Sequence, residues 1–210
     1  MDVSYLFSKL FGTLIVGASM FMKVPQILTI YQAKSGEGVS LQSFLIEIFL
    51  YAIAFNYHYQ GGYPLSTYFD YFFLLIQDIT IIILIVFYAK KIDAKFIEIS
   101  VAFSLFFGAL FAGLCPPAVL SVLQSLTIPF FIIAKLPQIY QNYKTKATGS
   151  LSLATTIGLF AGNLMRMFTT WVEMEGEYLI LFSYFSGVVI NGIIITQIFM
   201  YKGNKPQHID

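Results

Sequence analysis

Charged residues are scarce in this sequence: Asp, Glu, Lys and Arg make up 11% of its 210 residues. Ordinary soluble domains carry roughly 25%. Hydrophobic residues reach 58% and the mean hydropathy is +0.76, so there is too little polar sequence to cover a soluble core. These proportions predict a protein whose solvent is lipid. The net charge of +1 gives no basis for a nucleic-acid partner.

The residue types that build metal sites and active sites are also few. Cys115 is the single cysteine, which excludes an intramolecular disulfide and a cysteine-based zinc site. The two histidines, His58 and His208, have no metal-ligand residues beside them, so we expect no metal and no other cofactor. No nucleophile–base pattern or glycine-rich phosphate loop is present, which argues against an enzyme. The first residues lack the basic start of a cleavable signal peptide, and we expect none.

Seven stretches are long and apolar enough to cross a bilayer, which takes about 20 residues. Their predicted bounds are 5–33, 40–59, 67–89, 94–114, 119–144, 152–172 and 177–201. Short polar turns separate them, and prolines fall inside the first and fifth. The sequence therefore predicts an all-α membrane protein with seven transmembrane helices.

One motif occurs twice along the chain. Residues 23–27 read Lys-Val-Pro-Gln-Ile, and residues 135–139 read Lys-Leu-Pro-Gln-Ile. At this offset of 112 residues, further identities follow in the next turn and at the start of the next helix. The eight identical pairs are Lys23/Lys135, Pro25/Pro137, Gln26/Gln138, Ile27/Ile139, Tyr31/Tyr143, Lys34/Lys146, Ser40/Ser152 and Leu41/Leu153. Such a repeat predicts two related helix bundles.

The repeat sets the predicted domain organisation. Helices 1–3 (residues 1–91) and helices 5–7 (117–202) form two parallel three-helix bundles, joined by linker helix 4 (92–116) and followed by the tail 203–210. Lysines near helix ends all fall in alternate connections or in the tail: Lys34, Lys90, Lys91, Lys95, Lys144, Lys146, Lys202 and Lys205. The positive-inside rule then predicts a cytosolic C-terminus and a lumenal N-terminus.

Several polar side chains fall inside the apolar segments, where their cost marks them as candidate site residues. The predicted binding residues are Lys23, Glu47, Tyr51, Gln77, Asp78, Lys135, Asn163, Arg166 and Asn191. Glu47 has no Lys or Arg three or four positions away to neutralise it. Asn163 and Arg166 share one face of the sixth helix. The repeat pairs that helix with the second, so these two residues and Glu47 with Tyr51 are predicted to converge.

Structural interpretations of the same residues stay open. Glu47 and Arg166 form either a ligand site or a buried ion pair between the second and sixth helices. Lys23 and Lys135 either contact a ligand or extend to the cytosolic helix ends.

The motif residues have two interpretations as well. Pro25 and Pro137 are either hinges or fixed kinks. Gln26 and Gln138 either belong to the site or satisfy the backbone groups that the prolines leave unpaired.

The two Pro-Gln motifs, each at the end of the first helix of a triplet, resemble those of the PQ-loop family. That family shares its seven-helix architecture with the SWEET sugar transporters. The run at 33–43, with Ala-Lys-Ser, Glu-Gly and Ser-Leu-Gln-Ser, is similar to one branch of the family. Because the second motif keeps its proline, we expect the fifth helix to kink as the first does. The SWEET pattern of prolines in the second and sixth helices is missing here.

The resemblance implies an endoplasmic reticulum membrane protein needed for lumenal use of dolichol-phosphate-linked mannose and glucose. A lipid-linked sugar phosphate needs a cation for the phosphate and hydrogen-bonding groups for the sugar. Arg166 with Lys23 or Lys135 would serve the phosphate. The residues left for the sugar hydroxyls are Gln77, Asp78, Asn163 and Asn191.

Three functions follow from these observations. The first is a binder or translocator of the dolichol-phosphate-linked sugar within the membrane lipid. The second is a non-transporting chaperone or adaptor whose partners are glycosyltransferases. The third is a proton-coupled exporter of a small solute, with Asp78 as the proton carrier.

Overall fold

The computed structural model describes residues 2–36, 39–89, 94–148, 153–202 and 204 of the chain. Within these residues, every regular element is helical. The elements are α1 (Val3–Ser19), α2 (Val24–Ala33), α3 (Leu41–Gln60), the short 3-10 helix Leu65–Thr67, α4 (Asp70–Ala89), α5 (Ala94–Phe111), α6 (Pro117–Thr145), α7 (Leu153–Glu173) and α8 (Tyr178–Met200). Helices α1 and α2 together occupy the first predicted segment, and α3 to α8 occupy the other six. The all-α fold class with seven helical segments is confirmed.

Four of these segments are long and apolar enough to span a membrane: Val3–Ala33, Asp70–Ala89, Pro117–Thr145 and Tyr178–Met200. Large apolar side chains on them are exposed on the protein surface, and Phe87 for example is 68% exposed. Such surfaces are stable against lipid. The protein is therefore a multi-pass membrane protein in contact with lipid.

The remaining segments are less apolar or carry shorter apolar runs. Helix α3 includes Glu47 and Asn56, α7 includes Asn163 and Arg166, and the apolar part of α5 is Ser100–Phe111. Several polar side chains of α3 and α7 are buried within protein: Asn56, His58, Thr156, Arg166, Thr169 and Thr170.

The two copies of the motif end in the same backbone conformation. Lys34 follows α2 with φ 49°, and Lys146 follows α6 with φ 51°. Both lie in the left-handed region, which ends a helix because the chain cannot continue its hydrogen-bond ladder. After the first of these turns, Ser40 caps α3 by accepting a hydrogen bond from the N–H of Ser43. The repeat in the sequence is thus a repeat in structure at this position.

The chain separates into two compact units. The first unit is Thr13–Gln124, and the second is Met1–Gly12 together with Ser125–Asp210. Three apolar clusters lie in the first unit; one joins Ile53, Leu110 and Leu120, bringing α3, α5 and α6 together. In the second unit, a row of isoleucines on α8 packs against α6. The domain boundaries predicted from the repeat stay predictions.

The first and fifth segments differ in continuity. The first stops at Ser19, passes through a turn at 20–23 and resumes at Val24, with Pro25 in its first turn. Helix α6 is one helix from Pro117 to Thr145 and includes its proline without interruption. The two motif helices therefore differ in continuity, and the kink expected at Pro137 stays a prediction.

Candidate functional site

Lys23 lies at the break between α1 and α2, and its ammonium group contacts two carboxylates. Nζ forms ion pairs with Glu47 Oε2 from α3 and with Asp78 Oδ1 from α4. The Lys23 side chain is 14% exposed, that of Glu47 39% and that of Asp78 0%. We call Lys23, Glu47 and Asp78 the charged cluster. It is built entirely within the first unit.

Aromatic rings complete the surroundings of the ammonium group. Nζ of Lys23 lies 5.2 Å from the ring centroids of Phe44 and Tyr51, which belong to α3. The face of an aromatic ring attracts a cation over such a distance. Tyr51 in turn stacks on Tyr71 of α4, with centroids 5.9 Å apart. The predicted site residues Glu47 and Tyr51 therefore meet at Lys23.

The charged cluster has an excess of negative charge. Two carboxylates and one ammonium give a formal charge of −1, so one proton or one further cation neutralises it. Asp78 is fully buried, and its Oδ2 has no hydrogen-bond partner in the part of the chain that the structure describes. Glu47 is the accessible member. A ligand that approaches the cluster meets Glu47 and Lys23 before it meets Asp78.

Gln77, next to Asp78, bonds to the main chain of the first span. Its Oε1 accepts a hydrogen bond from Lys23 N–H at 2.8 Å, and its Nε2 donates to the carbonyl oxygens of Ser19 at 2.8 Å and Phe73 at 2.9 Å. The sequence predicted Gln77 as a group for sugar hydroxyls. In the structure its amide bonds to the Lys23 N–H and to the Ser19 carbonyl, which also accepts from the Met22 N–H at 3.4 Å.

The structure shows the contacts of two of these charges. Glu47 pairs with Lys23. The Lys23 side chain stays with the two carboxylates and does not extend to a helix end.

The other predicted site residues lie in the second unit. Asn163 Nδ2 donates to the Leu159 carbonyl at 2.7 Å, and Asn191 Nδ2 donates to the Gly187 carbonyl at 2.8 Å, each within its own helix. Arg166 is 4% exposed, and its carbonyl accepts from Thr169 Oγ1 at 3.0 Å.

Lys135 is half-buried on α6. By the repeat offset, Leu159 occupies the place of Glu47 and Ile190 that of Asp78. The second copy of the motif therefore lacks both carboxylates that pair with Lys23 in the first.

The motif residues differ between the copies in their helical context. Pro25 is in the first turn of α2, and its carbonyl accepts from Thr29 Oγ1 at 2.9 Å. Pro137 lies inside α6. Gln26 and Gln138 are half-buried.

The sequence analysis missed a buried acidic residue at the end of α7. Glu173 accepts from Ser8 Oγ at 2.5 Å and pairs with Lys9 Nζ at 2.6 Å, and its side chain is 0% exposed. Lys9, a lone cation in an apolar segment, was the signal that a carboxylate partner exists.

A further polar contact between helices is an amide pair. Gln197 of α8 accepts from Asn142 Nδ2 at 2.9 Å and donates to the Ile139 carbonyl at 2.9 Å. It joins α8 to α6, as polar side chains often join helices in membranes.

The residues that the structure describes contain no group of three or more His, Cys, Asp or Glu side chains able to hold a metal ion.

The fold defines an all-helical, multi-pass membrane protein. A solved structure of a eukaryotic SWEET transporter matches it with a TM-score of 0.71 at 15% identity, covering 97% of this chain and 99% of that one. The PQ loop repeat model matches residues 7–66 and 119–175. The chain belongs to the PQ-loop family. Solute carrier family 66 member 3 from Homo sapiens is 23% identical over 187 residues, which cover 89% of this chain and 90% of the relative.

Proposed function

We propose that this chain binds the head group of a dolichol-phosphate-linked mannose or glucose in the endoplasmic reticulum membrane and makes it available on the lumenal side. It would act as a carrier or translocator and not as an enzyme. The sequence support is the run at 33–43, which resembles the mannose-P-dolichol utilization defect 1 protein. The observation that carries the proposal is an ammonium group, Lys23, held in a membrane-spanning segment beside an accessible carboxylate.

The charged cluster suits exchange of one anion for another. A phosphodiester competes with Glu47 for Lys23, because Glu47 is the partner with an accessible side chain. Asp78 is fully buried and keeps its contact with the same ammonium. A cation that is already desolvated and oriented loses little further hydration when the phosphate arrives. The polyprenyl chain stays in lipid, where it is soluble.

Binding of a short-chain dolichol-phosphate-mannose analogue to the purified protein tests this proposal. Glu47→Gln removes the competing carboxylate and should tighten binding. The double variant Lys23→Met with Asp78→Asn removes the cation without leaving a buried unpaired charge, and should weaken binding about tenfold or more. Lys144→Met, the same change at an exposed lysine at the end of α6, is the control. Unchanged binding by the folded double variant would remove Lys23 from the site.

A second function, proton-coupled movement of a small solute, is favoured by the net charge of the cluster. One proton neutralises two carboxylates and one ammonium, and a relative carries the name of a solute carrier. In proteoliposomes tested with a panel of amino acids and sugars, this function predicts currents that require a pH gradient and disappear in Asp78→Asn. Currents that persist without a gradient would exclude it.

A further inference from the structure

The first span lacks one main-chain hydrogen bond of a continuous α-helix, the bond between Lys23 N–H and the Ser19 carbonyl. In an unbroken α-helix the N–H of Lys23 would donate to the carbonyl of Ser19, four residues earlier. Here Lys23 N–H donates to Gln77 Oε1 at 2.8 Å, and Gln77 Nε2 donates to the Ser19 carbonyl at 2.8 Å. One side-chain amide thus replaces one main-chain hydrogen bond. Insertion of a side chain into the ladder is an established cause of a sharp bend.

Proline alone does not open the helix. Pro137 stands at the position equivalent to Pro25, yet α6 continues past it. Phe131, the repeat equivalent of Ser19, packs against an apolar row on α8. That row consists of Ile190, Ile194 and Ile198. Val189, the repeat equivalent of Gln77, has no group that can bridge a carbonyl and an N–H, so it offers α6 no substitute for a main-chain hydrogen bond at this place.

Helix α4 contacts both the main chain and the side chain of Lys23. Gln77 accepts a hydrogen bond from the backbone N–H of Lys23, and the adjacent Asp78 accepts one from Nζ of Lys23. Between these two contacts Lys23 has φ −104° and ψ 1°, which is not a helical conformation. In this conformation Nζ also contacts Glu47. The position of the cation thus depends on the conformation that Gln77 stabilises.

We propose that Gln77 is a positioning residue: its carboxamide, inserted into the first span, keeps Lys23 in the non-helical conformation that places Nζ on Glu47 and Asp78. The inference rests on the proposed function only in taking the charged cluster as the site. Gln77 acts on the Lys23 ammonium group through the Lys23 main chain, and other side chains contact the ligand. Without the amide, Lys23 N–H and the Ser19 carbonyl can form the main-chain hydrogen bond of a continuous helix, and Lys23 then leaves the carboxylates.

The test measures the reactivity of the Lys23 side chain in the full-length protein in lipid nanodiscs. A small amine-acylating reagent labels the lysines, and peptide mass spectrometry gives the rate at each one. Gln77→Met should raise the labelling rate of Lys23 about tenfold, because loss of the two hydrogen bonds releases it. The matched control is Gln197→Met. Gln197 is buried to a similar extent and also donates to a main-chain carbonyl, that of Ile139. The helix that contains Ile139, α6, is continuous.

The outcomes separate positioning from general loosening. A rise at Lys23 in Gln77→Met and none in Gln197→Met supports the proposal. No rise, or an equal rise in both variants, overturns it. If Gln77→Met does not fold, Gln77→Asn, whose amide is one methylene too short to bridge both groups, is measured with the same criteria. Failure of wild-type protein to bind the lipid analogue would instead count against the proposed function, since labelling requires no ligand.

Discussion

At Lys23 an ammonium group lies among apolar helices and is balanced by two carboxylates. A buried charge that loses its partner is costly, whereas removal of the whole pair costs little. Lys23→Met leaves Asp78 buried without a cation, and we expect a loss of about 3–5 kcal/mol in unfolding free energy. Adding Asp78→Leu to this variant should restore most of the loss. Thermal unfolding in nanodiscs of wild type, both single variants and the double variant measures the coupling.

The same cycle shows whether Asp78 is the carboxylate that depends on Lys23. The side chain of Glu47 is 39% exposed, so Glu47 remains accessible after the other two charges are removed. If the double variant is as unstable as Lys23→Met alone, Asp78 is not the charge that needs Lys23. The buried member of the cluster would then be neutral in the folded protein.

At the same scale, the sequence singled out the members of the charged cluster but not their contacts with one another. Glu47 and Asp78 were predictable because an ionisable residue in an apolar segment is rare and needs a reason. Their shared cation was not predictable, since Lys23 fits helix-end placement equally well from sequence. The role of Gln77 depends on a broken helix, and Pro25 and Pro137 give the same local signal although only one of their helices breaks.

At the scale of elements, α7 and α8 approach closely at one glycine. A methyl group on Gly187 would lie 2.3 Å from Asn163 Oδ1, and Asn163 is fixed by its hydrogen bond to Leu159. Gly187→Ala should therefore cost about 1–3 kcal/mol of stability, because Asn163 must lose that bond or the helices must separate. On the same helix, Gly192 is the control: its methyl group would meet Phe160 at 3.5 Å, an ordinary contact.

Thermal unfolding of the two alanine variants gives the comparison. A lower midpoint for Gly187→Ala than for Gly192→Ala is expected. Equal midpoints would mean that Asn163 rotates freely, in which case its amide is available to a ligand after all.

The helices themselves were the most predictable elements. Apolar length and polar turns located all seven segments to within a few residues, because a membrane allows backbone to cross only when its hydrogen bonds are satisfied internally. The gap at 20–23 escaped prediction since its cause is a side chain from α4, more than 50 residues away in sequence. Local patterns do not report such a contact.

At the scale of the whole molecule, the turns differ in residue type according to the side of the membrane predicted for them. Among the described residues, a positive φ occurs at two lysines in turns predicted to be cytosolic, Lys34 and Lys146. It also occurs at three glycines in turns predicted to be lumenal, Gly62, Gly113 and Gly176. Lysine at the former agrees with the positive-inside rule. The seven predicted crossings would place the two termini on opposite sides.

Glycosylation mapping in microsomes tests this topology. An acceptor sequence in a long flexible insert should be modified at Gly62, Gly113 and Gly176 and should stay unmodified at Lys146 and at the C-terminus. The test bears most on α3, α5 and α7, which are less apolar than the four clear spans. If α3 did not cross, its two ends would lie on one side, and the Gly62 insert would stay unmodified. That result would take Glu47 out of the bilayer, and the charged cluster would lose its membrane setting together with the function proposed for it.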